Sequence, residues 1–249
     1  MKNIKASKRK EYIKNIYSKY WISAREKIYG FSLYDKNLIA LIQEKIEGGK
    51  LLDVAIGTGY PFASTLRRTN KIYGVDIAAN LVEKCSELYP DVNSIVGDCE
   101  DLPYQDGFFD LVYSFHSTWY FPDLIKAISE MMRVTTPNGF VVFDIQNSEN
   151  KINSKSHSKR VRKYKYRFFY YPLHLIKQIV KMIIGRTDIS WQISLHETPT
   201  NPQILTSYFK DKGIKYDVWI KNEDESLSLI KNDELLKSVS RLIFLISKS

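Results

Sequence analysis

Cysteine and histidine are scarce in this chain, and long apolar runs are missing altogether. Two cysteines in 249 residues, Cys85 and Cys99, exclude a disulfide framework, and neither stands at a zinc-ligand spacing. A reducing compartment follows from that usage. The four histidines add no ligand cluster, so no metal is expected. No segment approaches the roughly 20 consecutive apolar residues that a membrane-spanning helix needs. The first residues, MKNIKASKRK, are basic but lack the apolar stretch that would follow in a secretory signal. A cytoplasmic protein is expected, with its oligomeric state open. Internal repeats are also absent, which excludes solenoids and propellers.

The hydrophobic fraction of 44% and charged fraction of 26% belong to an ordinary globular chain, long enough for one α/β domain with a smaller cap. The net charge of +9 is unevenly placed. Residues 1–30 carry nine Lys/Arg against two acids, whereas residues 31–150 carry nine against seventeen. Residues 151–187 then hold eleven basic residues and no acid. Two basic segments therefore flank an acidic block, and such asymmetry points to a local anionic partner.

From residue 36 the pattern alternates between helix and strand. Leu38, Ile39, Leu41, Ile42 and Ile46 recur at helical spacing until Gly48-Gly49. Short apolar strands are expected at 50–55, 72–75, 92–96, 109–114 and 140–144, with helices through 81–88 and 124–133 between them. After Asp144 the pattern breaks, returning as a helix at 202–209 and strands at 215–220 and 242–247. Nearly all-apolar strands alternating with helices predict a parallel sheet covered on both faces. The expected fold is therefore α/β, a doubly wound, seven-stranded, mostly parallel sheet. Residues 36–146 and 200–249 would form its core, residues 1–35 an N-terminal helical cap, and residues 147–199 a lid inserted after strand five. In this class, ligands bind beyond the carboxyl ends of the strands.

The strongest local signal is Leu51-Leu52-Asp53-Val54-Ala55-Ile56-Gly57-Thr58-Gly59. A strand entering Gly-x-Gly lets the backbone approach a ligand where a side chain would clash. A dinucleotide fingerprint would need a third glycine where Phe62 stands, and the P-loop lysine is missing. Further signals follow in order. Asp76 closes the second strand, placed to accept from two ribose hydroxyls. Gly97-Asp98-Cys99-Glu100-Asp101-Leu102-Pro103 follows the third, Phe108-Phe109-Asp110-Leu111-Val112 opens the fourth, and Pro137-Asn138-Gly139 precedes the fifth.

This ordered series resembles the class I, Rossmann-like S-adenosylmethionine-dependent methyltransferases of the small-molecule "type 11" kind, over residues 38–145. The resemblance implies S-adenosylmethionine as cofactor and S-adenosylhomocysteine as product. It places Asp53, Ala55, Gly57, Thr58 and Gly59 around the methionine end of the cofactor. Asp76 would hold the ribose and Ile77 pack on the adenine. Asp98 would accept from the adenine amino group, Cys99 touch the ring edge, and Ser114 and Phe115 line the sulfonium through their backbone. Ala55 stands where the family usually has glycine, and Asn138 replaces another common glycine while still tolerating a left-handed backbone.

The methyl of a sulfonium is already activated, so alignment can supply most of the rate. A general base helps only where the acceptor is a hydroxyl or a protonated amine. His116, just past the fourth strand, is the candidate base, with pocket lining as its other reading. His196 is a second candidate. Tyr17, Tyr20 and Trp21 in the cap, and Trp119 and Tyr120 after His116, are expected to wall the acceptor pocket. Residues 159–186 interleave cations with aromatics and then turn apolar. They fit a lid or oligomer contact, attachment to an anionic membrane, or a stacking surface for RNA. RNA is the least favoured, because the position after strand four reads Ser114-Phe115-His116-Ser117 and lacks the Asn/Asp-Pro-Pro-Tyr/Phe sequence that often marks base methylation. The resulting expectation is methyl transfer to an oxygen or nitrogen of a small metabolite, with a sugar, a quinone or a lipid-like molecule as acceptor. An RNA methyltransferase and an inactive scaffold subunit are the alternatives.

Overall fold

In the computed structural model, residues 9–15, 17, 31–150, 198–230 and 239–248 are described. Tyr20, Trp21, His196 and the basic segment 159–186 lie outside them. Residues 9–15 and 17 are helical. The elements that follow are α1 (Leu33–Lys45), β1 (Lys50–Val54), α2 (Phe62–Leu66), β2 (Lys71–Asp76), α3 (Ala79–Leu88), β3 (Asn93–Val96) and β4 (Phe109–Ser114). A 3-10 turn at Thr118–Tyr120 leads to α4 (Leu124–Val134), β5 (Thr135–Gln146), α5 (Pro202–Asp211), β6 (Lys215–Lys221), β7 (Leu227–Leu229) and β8 (Arg241–Ser247).

One sheet runs in the order β3-β2-β1-β4-β5-β8-β6-β7. The pairs from β3 through β5 are parallel, and β8 lies antiparallel to both β5 and β6. Strand order reverses where β1 meets β4, and this opens a crevice at the carboxyl ends of the parallel strands. The sheet has eight strands where seven were expected. The eighth is β7, a three-residue segment paired with β6 across a turn closed by the Asn222 N–H to Ser226 carbonyl bond. It is too short to show an alternating pattern. Strand β5 also begins earlier than expected, at Thr135, because Thr135 pairs with Phe109 before the register shifts to Leu111–Phe140. Gly139 makes that shift possible, since a Cβ there would lie 2.7 Å from the Asp110 carbonyl oxygen.

Alternation along each strand feeds two cores. Leu52, Val54, Val75 and Val112 point to one face, against Ile128 and Met131 of α4. Leu51, Ile72, Leu111 and Tyr113 point to the other, against Leu38 and Ile42 of α1. Leu51, Leu52 and Val54 are fully buried. Each such side chain contributes about 1.5–3 kcal/mol through removal from water.

Helix α1 starts at a capping box, in which the Ser32 side chain accepts from the Asp35 N–H and Asp35 accepts from the Ser32 N–H. The two ends of the expected insertion meet: Ser148 N–H donates to the Thr200 carbonyl at 3.0 Å, and Thr200 N–H donates to the Gln146 carbonyl at 2.8 Å. Among the described residues, no helix is long and apolar enough to cross a membrane.

Candidate functional site

The crevice at the strand-order reversal holds a cavity, and the segments leaving four parallel strands line it. Ala55 and Gly57 come from the turn after β1, Asp76 and Ile77 from the end of β2, Gly97, Asp98 and Cys99 from the end of β3, and Phe115, His116 and Ser117 from the end of β4. Lys10, Ile13 and Tyr17 close it from the N-terminal segment, and Tyr120, Phe121 and Pro122 from the turn before α4. Lys10, Ile13 and Tyr17 stand at i, i+3 and i+7, the spacing of one helical face.

The turn after β1 is built on left-handed backbone, with φ of 67° at Ala55, 58° at Gly57 and 82° at Gly59. At Gly59 a Cβ would sit 3.0 Å from both Cys85 Sγ and Tyr89 Cδ2, so the position is closed to side chains by packing as well as by φ. Ala55 adopts a conformation suited to glycine at a cost of about 1–2 kcal/mol. The turn is held down by Asp76, whose Oδ2 accepts from the Gly57 N–H and Oδ1 from the Ala78 N–H, each at 2.9 Å. That carboxylate is buried and lines the cavity.

Asp53 lies behind the turn and does not line the cavity. Burial, followed by the charge of Asp53, pushes the neighbouring Tyr113 phenol well above its ordinary value. Thr58, Gly59 and Ser114 do not line the cavity either. The Ser114 hydroxyl donates to the Val54 carbonyl at 2.7 Å and so ties β4 to β1.

At the β3 end, Asp98 Oδ1 accepts from the Glu100 N–H at 2.9 Å. Lys10 Nζ reaches Asp98 Oδ2 at 2.6 Å and Glu100 Oε2 at 2.7 Å. Burial opposes the Lys10 charge, but its bonds to Asp98 and Glu100 outweigh that and raise its value. Burial pushes the Cys99 thiol up, reinforced by the Asp98 and Glu100 charges. Cys85 is pushed to about 11, chiefly by burial. Both shifts disfavour the thiolate, so neither sulfur is set up as a nucleophile.

His116 lines the cavity with φ at 58°. Its Nε2 lies 2.7 Å from Asp35 Oδ1, its Nδ1 lies 2.8 Å from Arg241 Nη1, and its backbone N–H donates to Asp144 Oδ1 at 2.8 Å. Trp119 does not line the cavity. It packs behind His116 with its ring under the Arg241 guanidinium, 4.6 Å to the centroid, and its carbonyl accepts from the Arg9 side chain. Tyr120 lines the cavity and meets Tyr17 edge-to-face at 5.4 Å.

Several of these residues escaped the sequence reading. Lys10 had a signal, its spacing with Ile13 and Tyr17. Asp144 also had one, an acid inside the apolar run Phe140–Ile145. Asp35, just before the expected helix start at residue 36, and Arg241 carried no local signal.

Residues 52–143 match the family model described as "Methyltransferase domain". That stretch, less than half of the chain, carries its likeness to methyltransferases. Among curated proteins, the chain is 30% identical over 142 residues to a sterol 4-C-methyltransferase of Caenorhabditis elegans, covering 53% of this chain and 42% of that protein. It is 32% identical over 111 residues to a demethylmenaquinone methyltransferase of Lysinibacillus sphaericus, covering 42% and 47%. The matched stretch thus spans less than half the length of these relatives. Among solved structures, a methyltransferase from Thermotoga maritima shares the fold at a TM-score of 0.64 and 14% identity, covering 96% of this chain and 99% of that one.

Proposed function

We propose that this chain is an S-adenosylmethionine-dependent methyltransferase acting on a small, largely apolar molecule. One observation carries the reading: the segments after β1, β2, β3 and β4 converge on a single cavity that presents the Asp76 and Asp98 carboxylates from neighbouring strand ends. The residues present suit the cofactor. Asp76 is tethered through both oxygens at the end of β2 and lines the cavity where ribose hydroxyls would lie. Asp98 is placed to accept from the adenine amino group, and Ile77 and Leu81 offer an apolar face to the ring. Ala55 and Gly57 expose backbone toward the methionine end. When bound, S-adenosylmethionine supplies an electrophilic methyl on a sulfonium.

For the acceptor, Ile13, Tyr17, Phe115, Tyr120 and Phe121 provide an apolar and aromatic wall. That wall favours a ring-bearing or lipid-like molecule over a sugar. The names of the relatives point the same way, and they add carbon to oxygen and nitrogen as methyl-accepting atoms. His116 and Ser117 contribute the polar groups at this end. The chain's own work in such a reaction is to bind, orient and exclude water, because alignment supplies most of the rate.

The test is calorimetric titration with S-adenosylmethionine and S-adenosylhomocysteine, followed by turnover assays with quinone, sterol and lipid-headgroup acceptors. Micromolar binding of both compounds and turnover of one acceptor class support the reading. Absence of binding to either compound overturns it in favour of a scaffold subunit. An attachment of residues 159–186 to anionic membranes is part of the same reading and is checked by sedimentation with phosphatidylserine vesicles. Salt-sensitive RNA binding with no vesicle binding would favour the RNA alternative instead.

A further inference from the structure

Both ring nitrogens of His116 are engaged. Nδ1 lies 2.8 Å from Arg241 Nη1, and a guanidinium carries only donors and stays protonated. The imidazole can therefore only accept at Nδ1. The proton of a neutral ring must then sit on Nε2, which lies 2.7 Å from Asp35 Oδ1, an atom able to receive it. Asp35 is itself oriented, because its other oxygen accepts from the Ser32 N–H at 3.0 Å and the Ser32 hydroxyl at 2.8 Å.

Arg241 is oriented too. Its Nη1 also donates to Asp144 Oδ2 at 2.8 Å, and the fully buried Asp144 takes the His116 backbone N–H on Oδ1. The Tyr34 hydroxyl donates to Asp144 Oδ2 at 3.3 Å, so the buried carboxylate has partners on both oxygens. Among the described residues, the charged and titratable groups facing His116 are thus Asp35 and Tyr34 on α1, Asp144 on β5 and Arg241 on β8. Adding a proton at Nδ1 would set an N–H against the N–H of Arg241.

We propose that Arg241 and Asp35 are positioning residues that clamp His116 as a neutral imidazole of one tautomer and so fix the turn at 115–117 against the cofactor cavity. The proposal rests on the methyltransferase reading only for what the turn is positioned against. With the clamp closed, His116 has no free lone pair with which to take a proton from an acceptor. The ring is then a wall of the cavity, held from the first helix of the core and the last strand of the sheet.

The experiment uses the full chain, labelled with ¹⁵N-histidine, with the His116 signals assigned through His116→Asn. At about pH 8, where an ordinary imidazole is neutral, His116 should show an unprotonated Nδ1 and a protonated Nε2. A ring that carries its proton on Nδ1, or protons on both nitrogens at that pH, overturns the clamp. Arg241→Met should mix the tautomers and weaken S-adenosylhomocysteine binding about tenfold. Arg241→Lys, which keeps a donor and the charge facing Asp144, should restore most of both. If Arg241→Met does not fold, the wild-type signals and the lysine variant still decide. Tautomers that mix while affinity stays unchanged remove the positioning role and leave the methyltransferase reading intact. Failure of the wild-type protein to bind S-adenosylhomocysteine overturns that reading while leaving the tautomer measurement valid.

Discussion

The Gly57 backbone N–H donates to Asp76 Oδ2 at 2.9 Å, so the glycine turn after β1 is fastened to the carboxylate that ends β2. Asp76 therefore both shapes the turn and lines the cavity. Asp76→Ala should weaken S-adenosylhomocysteine binding by about tenfold or more. It should also lower stability by about 1–3 kcal/mol, because the Gly57 and Ala78 N–H groups lose their acceptor. Calorimetry and urea denaturation check the two effects separately. Unchanged affinity would remove the ribose assignment.

Lys10 sits between Asp98 and Glu100 at the end of the cavity assigned to adenine. Its cation weakens Asp98 as an acceptor for an incoming amino group. Lys10→Met should tighten S-adenosylhomocysteine binding by up to about fivefold, the scale of a partly exposed ion pair, with the gain shrinking as salt is added. Weaker binding in the variant would mean that Lys10 belongs to the closed wall of the occupied cavity.

Ala55 holds φ at 67° in a position that glycine fills more readily. Ala55→Gly should raise the stability of the folded chain by about 1 kcal/mol, the left-handed penalty less the added freedom of the unfolded chain. Thermal denaturation reads this directly. A loss of stability would show that the Ala55 methyl contributes more by packing than its backbone loses to strain.

Acid should destabilise the protein through Asp35 and Glu130. Burial raises Asp35, but its bonds to His116 and Ser32 outweigh burial and hold it below its ordinary 3.8. The Arg133 hydrogen bond is the largest influence on Glu130 and holds it below 4.5. A depressed carboxylate stabilises the fold above its unfolded value, and that stability is lost as pH falls through the folded value. Denaturation midpoints should therefore be flat near neutrality and fall below about pH 4.5, the unfolded Glu value. Glu130→Gln should be less stable at neutral pH and should lose less on acidification. Equal slopes in wild type and variant would remove Glu130 from the acid response.

Much of this architecture was legible because its signals are local. Strand β1 reads directly from Leu51 to Val54 entering a glycine turn, and Asp76 and Asp98 stand out as acids at the ends of apolar strands. The first residues of β5 did not, because Thr136-Pro137-Asn138 has the composition of a turn, and Asn138 does take a φ of 64°. The surroundings of His116 were hidden for a different reason. Its partners Asp35 and Arg241 lie 81 and 125 residues away along the chain. No window of sequence contains both, and the pairing exists only because β8 lies beside β5 while α1 covers the sheet above them. His116 itself was visible as a polar residue after a strand. What its two nitrogens face was not.

The seam between Gln146 and Thr200 has a consequence for how such a chain can diversify. Because the backbone hydrogen bonds there join the residue leaving β5 to the residue entering α5, the two ends are registered by each other. Closing a longer or shorter loop across such a fixed mouth changes the free energy only slowly with length. A change in the number of residues between 146 and 200 would therefore leave the strand neighbours, and the places of the Asp76 and Asp98 carboxylates, to be set by the sheet itself.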